Sequence, residues 1–169
     1  MSDELSLEAI LGDTKDREKQ YDWLGATKFF KKALGLVPDD DYSKKGEVCE
    51  RLGYVLYRAS MKAESVTEFK ASCTKAVESY EEAKRFYERL NELGGTPHFR
   101  ARMLRTKAAI ALMGYWLAAE VSEKRRMLDG CWRLAKECLE TFEKTGDALE
   151  YGTTCNRFVL APYCRFFLE

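Results

Sequence analysis

One pattern occurs three times along this chain: an aromatic residue is followed three positions later by alanine, with apolar residues beyond that alanine at helical spacing. In each case further apolar residues follow that alanine at four and seven positions, which places them on one face of a helix. The small alanine lies where another helix must approach closely. The pattern predicts closely packed helices. Its segments are Trp23-Leu-Gly-Ala26 with Phe30 and Ala33, Tyr80-Glu-Glu-Ala83 with Tyr87 and Leu90, and Trp132-Arg-Leu-Ala135 with Leu139 and Phe142.

The rest of the chain continues the helical pattern, and no segment alternates apolar and polar residues long enough to predict a strand. Capping residues predict helix starts at Ser6, Ser43, Thr96-Pro97 and Asp147, the last with Glu150 as part of a capping box. Gly94-Gly95 and Gly146 predict helix ends. We therefore expect an all-α protein of about seven helices, joined by short connections as antiparallel hairpins. The expected spans are 7–19, 20–36, 44–60, 63–93, 97–121, 123–144 and from 148 onward.

Two glycines lie in the middle of predicted helices, in Leu52-Gly53-x-x-Leu56 and Met113-Gly114-x-x-Leu117. A glycine inside a helix costs about 1 kcal/mol relative to alanine, so each one needs a packing reason. Close contact with the neighbouring hairpin would supply it.

Together these motifs resemble the tetratricopeptide repeat (TPR) family. Ala26, Phe30, Ala33 and Pro38 match the second helix of that repeat, and the Leu-Gly segments match the first. The resemblance implies hairpins stacked as a right-handed superhelix, in a single domain over residues 1–169. The alanines of the three segments are farther apart than the family's repeat of about 34 residues. We therefore expect a divergent TPR-like domain of about three long hairpins.

The resemblance also implies where a partner binds. In the family, the residue after the glycine of the first helix points into a concave groove, and Tyr54 and Tyr115 hold that place. Tyr57 and Trp116 flank them. Family members that clamp a terminal carboxylate use Lys and Asn in the groove, whereas this chain has Glu50, Tyr54, Ala111 and Tyr115 there. An aromatic groove suits a peptide or helix, or alternatively a small apolar ligand, while core packing is the competing interpretation of each aromatic.

A run of basic residues on the fifth predicted helix, Arg100, Arg102, Arg105 and Lys107, contains no acid, and Lys124 to Arg126 follow farther along. Arg100 and Arg102 are therefore further candidates for binding an acidic peptide or nucleic acid. The structural alternative, which we prefer, is that the run balances acids such as Glu88 and Glu92 on an adjacent helix. Nucleic-acid binding is the weaker functional hypothesis, because the net charge is zero, with 28 basic and 28 acidic residues.

No pattern predicts catalysis, a metal or a cofactor. His98 is the one histidine, at the start of a helix, and no phosphate loop or nucleophile motif occurs. Asp39 to Asp41 lack the later ligands of a calcium loop.

The six cysteines form no CxxC pair, so we expect free thiols in a cytoplasmic protein. The longest apolar run, residues 108–119, is shorter than a membrane span. We expect a scaffold or regulatory module that is not an enzyme.

The C-terminal stretch from Phe158 to Phe167 is unusually apolar for a free end. Helical repeat arrays usually finish with a polar capping face. This composition favours either a longer natural chain or a homodimer formed through the C-terminal helix.

Overall fold

A computed structural model describes residues 6–168, and within that range the protein contains helices and no strand. The prediction of an all-α fold is confirmed. Seven helices of 11 residues or more are followed by a short eighth. Their bounds are α1 (Leu7–Lys19), α2 (Trp23–Leu34), α3 (Tyr42–Ser60), α4 (Val66–Glu92), α5 (Pro97–Leu117), α6 (Val121–Thr145), α7 (Ala148–Phe158) and α8 (Leu160–Phe166).

Four of the predicted capping residues act as expected, whereas Thr96 lies at the start of α5 without a side-chain capping hydrogen bond. The Ser6 hydroxyl accepts from the Ala9 amide, and Asp147 accepts from the Glu150 amide. Gly94 and Gly146 adopt positive φ angles of 90° and 72°, a conformation that glycine reaches without strain. The third helix begins earlier than predicted, because the carboxylate of Asp41, and not Ser43, caps it.

The two largest differences from the predicted boundaries in the second half of the chain concern α5 and the last helix. α5 ends at Leu117, four residues early, because Ala118 has an extended backbone. The predicted last helix is interrupted at Val159, so that α7 and α8 are separate.

The chain folds as two compact units, the first ending at Ala83 and the second beginning at Lys84, a boundary that falls inside α4. In the first unit α3 and α4 are antiparallel: Gly53 faces the Tyr80 ring, and the Cys73 thiol lies 3.7 Å from the Ser60 hydroxyl. The fully buried apolar residues of this unit include Ile10, Ala26, Ala33, Cys49, Val55 and Ala76.

The second unit is centred on the antiparallel pair α5 and α6. The Cys138 thiol donates to the Ala101 carbonyl at 3.2 Å near one end of the pair, and Gly114 faces Met127 near the other. Ala101, Leu104, Cys138 and Phe142 form a buried cluster. Each glycine therefore lies against the next helix along the chain, Gly53 against α4 and Gly114 against α6, whereas contact with a neighbouring hairpin stays a prediction.

The alanines of the three aromatic–alanine segments, Ala26, Ala83 and Ala135, are fully buried. The first two aromatic residues, Trp23 and Tyr80, are buried as well, but Trp132 is 38% exposed. The three segments therefore share a buried alanine, but their aromatic residues differ in exposure. The right-handed TPR-like superhelix and the single domain remain predictions.

Candidate functional site

One surface of the first unit combines an arginine with two aromatic rings, and we call Trp23, Tyr54 and Arg58 the Arg58 cluster. Tyr54 and Arg58 lie one turn apart on α3, so both side chains project from the same face. Trp23 begins α2, which Asp22 caps by accepting from the Gly25 amide at 2.9 Å.

Arg58 is held in place by both rings. Its guanidinium carbon lies 4.7 Å from the centre of the Trp23 ring and 5.8 Å from that of Tyr54. Its Nη1 also donates to the Tyr54 hydroxyl at 3.0 Å. The two rings meet edge to face, 6.3 Å apart. A guanidinium stacked in this way has few remaining rotamers, so its orientation is preorganised.

In the described part of the chain, the other two arginines near the Arg58 cluster are paired with carboxylates, whereas Arg58 is not. Arg51 is ion-paired with Glu18, and Arg17 is paired with Asp22 at 2.6 Å. Among the residues described, no carboxylate pairs with Arg58, which remains partly exposed. The cluster therefore presents an oriented cation with unused N–H donors beside apolar ring surface, an arrangement suited to an oxyanion.

The remaining aromatic candidates are distributed over both units. Tyr57 is partly buried on α3. Tyr115 and Trp116 are neighbours in α5, with ring centres 4.7 Å apart. Burial raises the pKa of the Tyr115 phenol, and the nearby Cys164 thiol acts in the same direction. Tyr115 therefore lies near Cys164 of α8, within its own unit. A groove shared by Tyr54 and Tyr115 remains a prediction.

The basic run on α5 is divided among separate environments. Arg100 lies 3.7 Å from Glu137, and Lys107 lies 3.5 Å from Glu88. Arg102 is buried, with its guanidinium 5.6 Å from the centre of the Tyr87 ring. Arg105 has a side chain only 2% exposed and is ion-paired with Glu150. These contacts support the structural interpretation of the run, and Arg102 does not lie on an open surface. Glu92 pairs instead with Arg89, at 2.9 Å.

His98 lies where α5 meets the start of α7, with its Nδ1 3.3 Å from an oxygen of Asp147. Its ring also contacts Phe99 and Phe142 edge to face. Asp147 is the cap of α7, so this contact joins two helix starts.

Two open grooves lie on the second unit, with volumes of about 440 and 510 Å³. Charged and polar side chains form most of their walls, among them Arg100, Glu137 and Lys136. The charged side chains of these two grooves do not match a small apolar ligand, which stays an alternative prediction.

The cysteines are free thiols, as predicted, and Cys49, Cys73, Cys131 and Cys138 are buried. Over residues 6–168, acidic residues, histidine and cysteine form no group able to hold a metal ion. In the same range, no helix combines the length and the apolar character needed to cross a membrane.

Sequence reasoning found Tyr54 but missed its partners. The sequence places Trp23 only in an aromatic–alanine segment, and no sequence motif singles out Arg58. The i, i+4 spacing of Tyr54 and Arg58 was a usable signal, because such pairs are neighbours on a helix. The packing of Trp23 against them depends on how α2 folds onto α3, which no local pattern specifies.

Comparison with protein-family models, curated proteins and solved structures finds no match to this chain.

Proposed function

We propose that this protein is an interaction module that binds an acidic peptide segment at the Arg58 cluster. The observation that supports this is the guanidinium of Arg58, stacked on Trp23 and Tyr54 with no carboxylate pairing with it in the described range. The function is binding rather than catalysis, and the TPR-like superhelix and a cytoplasmic scaffold or regulatory role belong to the same proposal.

The energetics favour a carboxylate as the group bound. A guanidinium already immobilised against rings loses little rotamer entropy on binding, and that entropy is a major cost of forming a new contact. Its planar donors match the two oxygens of a carboxylate. The exposed Tyr21 ring, whose centre lies 5.9 Å from that of Trp23, adds apolar surface next to the cation. We therefore expect the preferred segment to combine acidic and apolar residues.

The proposal retains Tyr54 and the peptide partner from the sequence prediction. Tyr57 lies on the same helix and is a candidate for flanking contacts. Tyr115, Trp116 and Arg100 remain predicted contact residues, but the proposal does not require them. Arg102 is left out because it is buried.

The test is an NMR titration with two short synthetic peptides, one of glutamate and leucine and one with glutamine in place of glutamate. The chain has three tryptophans, so the indole N–H signals report separately on Trp23, Trp116 and the exposed Trp132. We expect the acidic peptide to shift the Trp23 signal and leave that of Trp132 unchanged. The glutamine peptide should bind much more weakly.

Arg58→Met is the decisive variant, since methionine can still pack on Trp23 but carries no charge. Hydrogen bonds to charged groups contribute about 1.5–3 kcal/mol, so the acidic peptide should bind about 10- to 100-fold more weakly. Arg133→Met removes an exposed arginine from the second unit and serves as the matched control. Equal affinity of the Arg58→Met variant and the wild type, with both folded, would refute the proposal.

A further inference from the structure

The C-terminal helix presents an apolar face to solvent. Five large apolar side chains on α8 and its two flanking residues are between 56% and 68% exposed. Their spacing of three, four and seven positions places them on one side of the helix. They are Val159, Leu160, Tyr163, Phe166 and Phe167, and we call them the α8 face. The rings of Tyr163 and Phe167 contact each other edge to face, 4.8 Å apart.

α8 is anchored to the second unit on its other side. Ala161 is fully buried, and Arg165 Nε donates to Asp129 of α6 at 2.9 Å. Arg125 Nε of α6 donates to the Leu168 carbonyl at 2.8 Å. A seven-residue helix is unstable in isolation and forms because of such packing. The α8 face is therefore held outward by contacts that use the opposite side of the helix.

The order of side chains along the α8 face is self-complementary. Aliphatic residues lie at its start, Tyr163 at its centre and two phenylalanines at its end. Tyr163 is the midpoint of the pair Val159 and Phe167, and also of the pair Leu160 and Phe166. A second α8, antiparallel and centred on Tyr163, would place each phenylalanine against an aliphatic side chain. Twofold symmetry with a self-complementary patch is the commonest arrangement of protein dimers.

The area of the α8 face is sufficient for such a dimer. Three aromatic residues of about 150–250 Å² each, exposed by roughly two thirds, together with a valine and a leucine, offer about 500–600 Å² per copy. Two copies would bury about 1,000–1,200 Å², at the lower end of the range for specific interfaces. The face itself carries no charge, and Arg165 at its edge pairs with Asp129.

We propose that two copies of this chain associate through the α8 face, antiparallel, with Tyr163 on the twofold axis. An interface of this size forms a reversible dimer. The proposal concerns a surface of the second unit and is independent of peptide binding at the Arg58 cluster.

The test places charged residues on the twofold axis and follows dimer formation by sedimentation velocity. The protein concentration is varied from about 10 to 500 µM, the range in which small interfaces associate. Wild-type protein should pass from monomer to dimer over this range. Tyr163→Glu and Tyr163→Lys each place two like charges on the axis, and each should weaken the dimer more than about tenfold. An equimolar mixture of the two variants should dimerise again, because opposite charges then meet.

Tyr151→Glu is the matched control: Tyr151 is a partly exposed tyrosine of α7 outside the α8 face, and its variant should dimerise like the wild type. Circular dichroism verifies that each variant folds. If a charged variant does not fold, the uncharged variant Phe166→Ala tests the same interface. A monomeric wild type at the highest concentration would overturn the proposal. Dimers of the Tyr163 variants as stable as those of the wild type would also overturn it. So would an equimolar mixture of the two folded variants that stays monomeric. In either case a different partner would be the occupant of the α8 face.

Discussion

At the scale of single residues, burial distinguishes thiols that can react from thiols that cannot. Burial raises the pKa of the Cys131 thiol to about 12, whereas Cys155 is exposed. The thiolate is the reactive form, so maleimide at pH 8 should label Cys155 in the native protein and leave Cys131 unmodified. Peptide mass spectrometry after labelling checks this, and denaturant should make all six cysteines reactive. Rapid native labelling of Cys131 would contradict its burial.

The carboxylate of Asp22 gives a prediction about pH. The Gly25 amide and the Arg17 side chain, by hydrogen bonding, lower the pKa of this carboxyl below its ordinary value of 3.8. The folded state therefore favours the ionised form, and this stabilisation is present above pH 3.8 and is lost as pH falls through the lowered pKa. Asp22→Asn retains a good capping residue and loses the ion pair.

We expect Asp22→Asn to be less stable than the wild type at pH 7, with the difference shrinking toward about pH 2. Urea unfolding at several pH values measures it. Asp40→Asn, which changes an exposed carboxylate in the turn before α3, provides the control. A difference that grows on acidification would contradict the direction of the pKa shift.

At the scale of helices, the glycines provide a graded series. A β-carbon at Gly53 would lie 2.9 Å from three atoms of the buried Tyr80 ring. At Gly114 it would meet the flexible side chain of Met127, and at Gly130 it would meet nothing within 4 Å. Gly53→Ala should therefore cost about 1–3 kcal/mol of unfolding free energy through overpacking.

Gly130→Ala should instead stabilise the protein by about 0.5–1 kcal/mol, because alanine is the better helix former. Gly114→Ala should be close to neutral, since Met127 can adjust. Denaturant unfolding of the three variants gives the order. A Gly53→Ala variant as stable as Gly130→Ala would show that α3 and α4 are not in close contact.

The helices themselves could largely be predicted from sequence, because caps and periodicity are local. Ser6, Gly94 and Gly146 act as predicted. The break at Val159 has no such signal, and Asp41 and Ser43 are both good capping residues, so local chemistry alone did not decide between them. The sequence predicts that Glu150 completes a capping box, but its carboxylate pairs with the buried Arg105. A contact over that distance in sequence depends on how the helices pack.

At the scale of the whole molecule, charge bears on nucleic-acid binding, one of the two functions that the basic run on α5 suggests. The chain carries 28 basic and 28 acidic residues, and Arg102 and Arg105 are buried. Polyanions bind mainly through neutralisation of phosphate or sulfate by accessible cations, with an affinity that falls steeply with salt. We expect the protein to pass through a heparin column at about 0.15 M salt without retention, near physiological ionic strength.

The double variant Arg100→Gln and Lys107→Gln tests whether these two cations of α5 contribute to any binding of heparin. Each of the two cations already lies within 4 Å of a glutamate, Glu137 for Arg100 and Glu88 for Lys107, so removing both should leave elution from heparin unchanged. Exposed ion pairs of this kind contribute about 0–1 kcal/mol, so the melting temperature should change little as well. Retention of the wild type that is lost in the double variant would instead identify α5 as a polyanion-binding helix, and binding to nucleic acid would then replace the peptide as the first hypothesis.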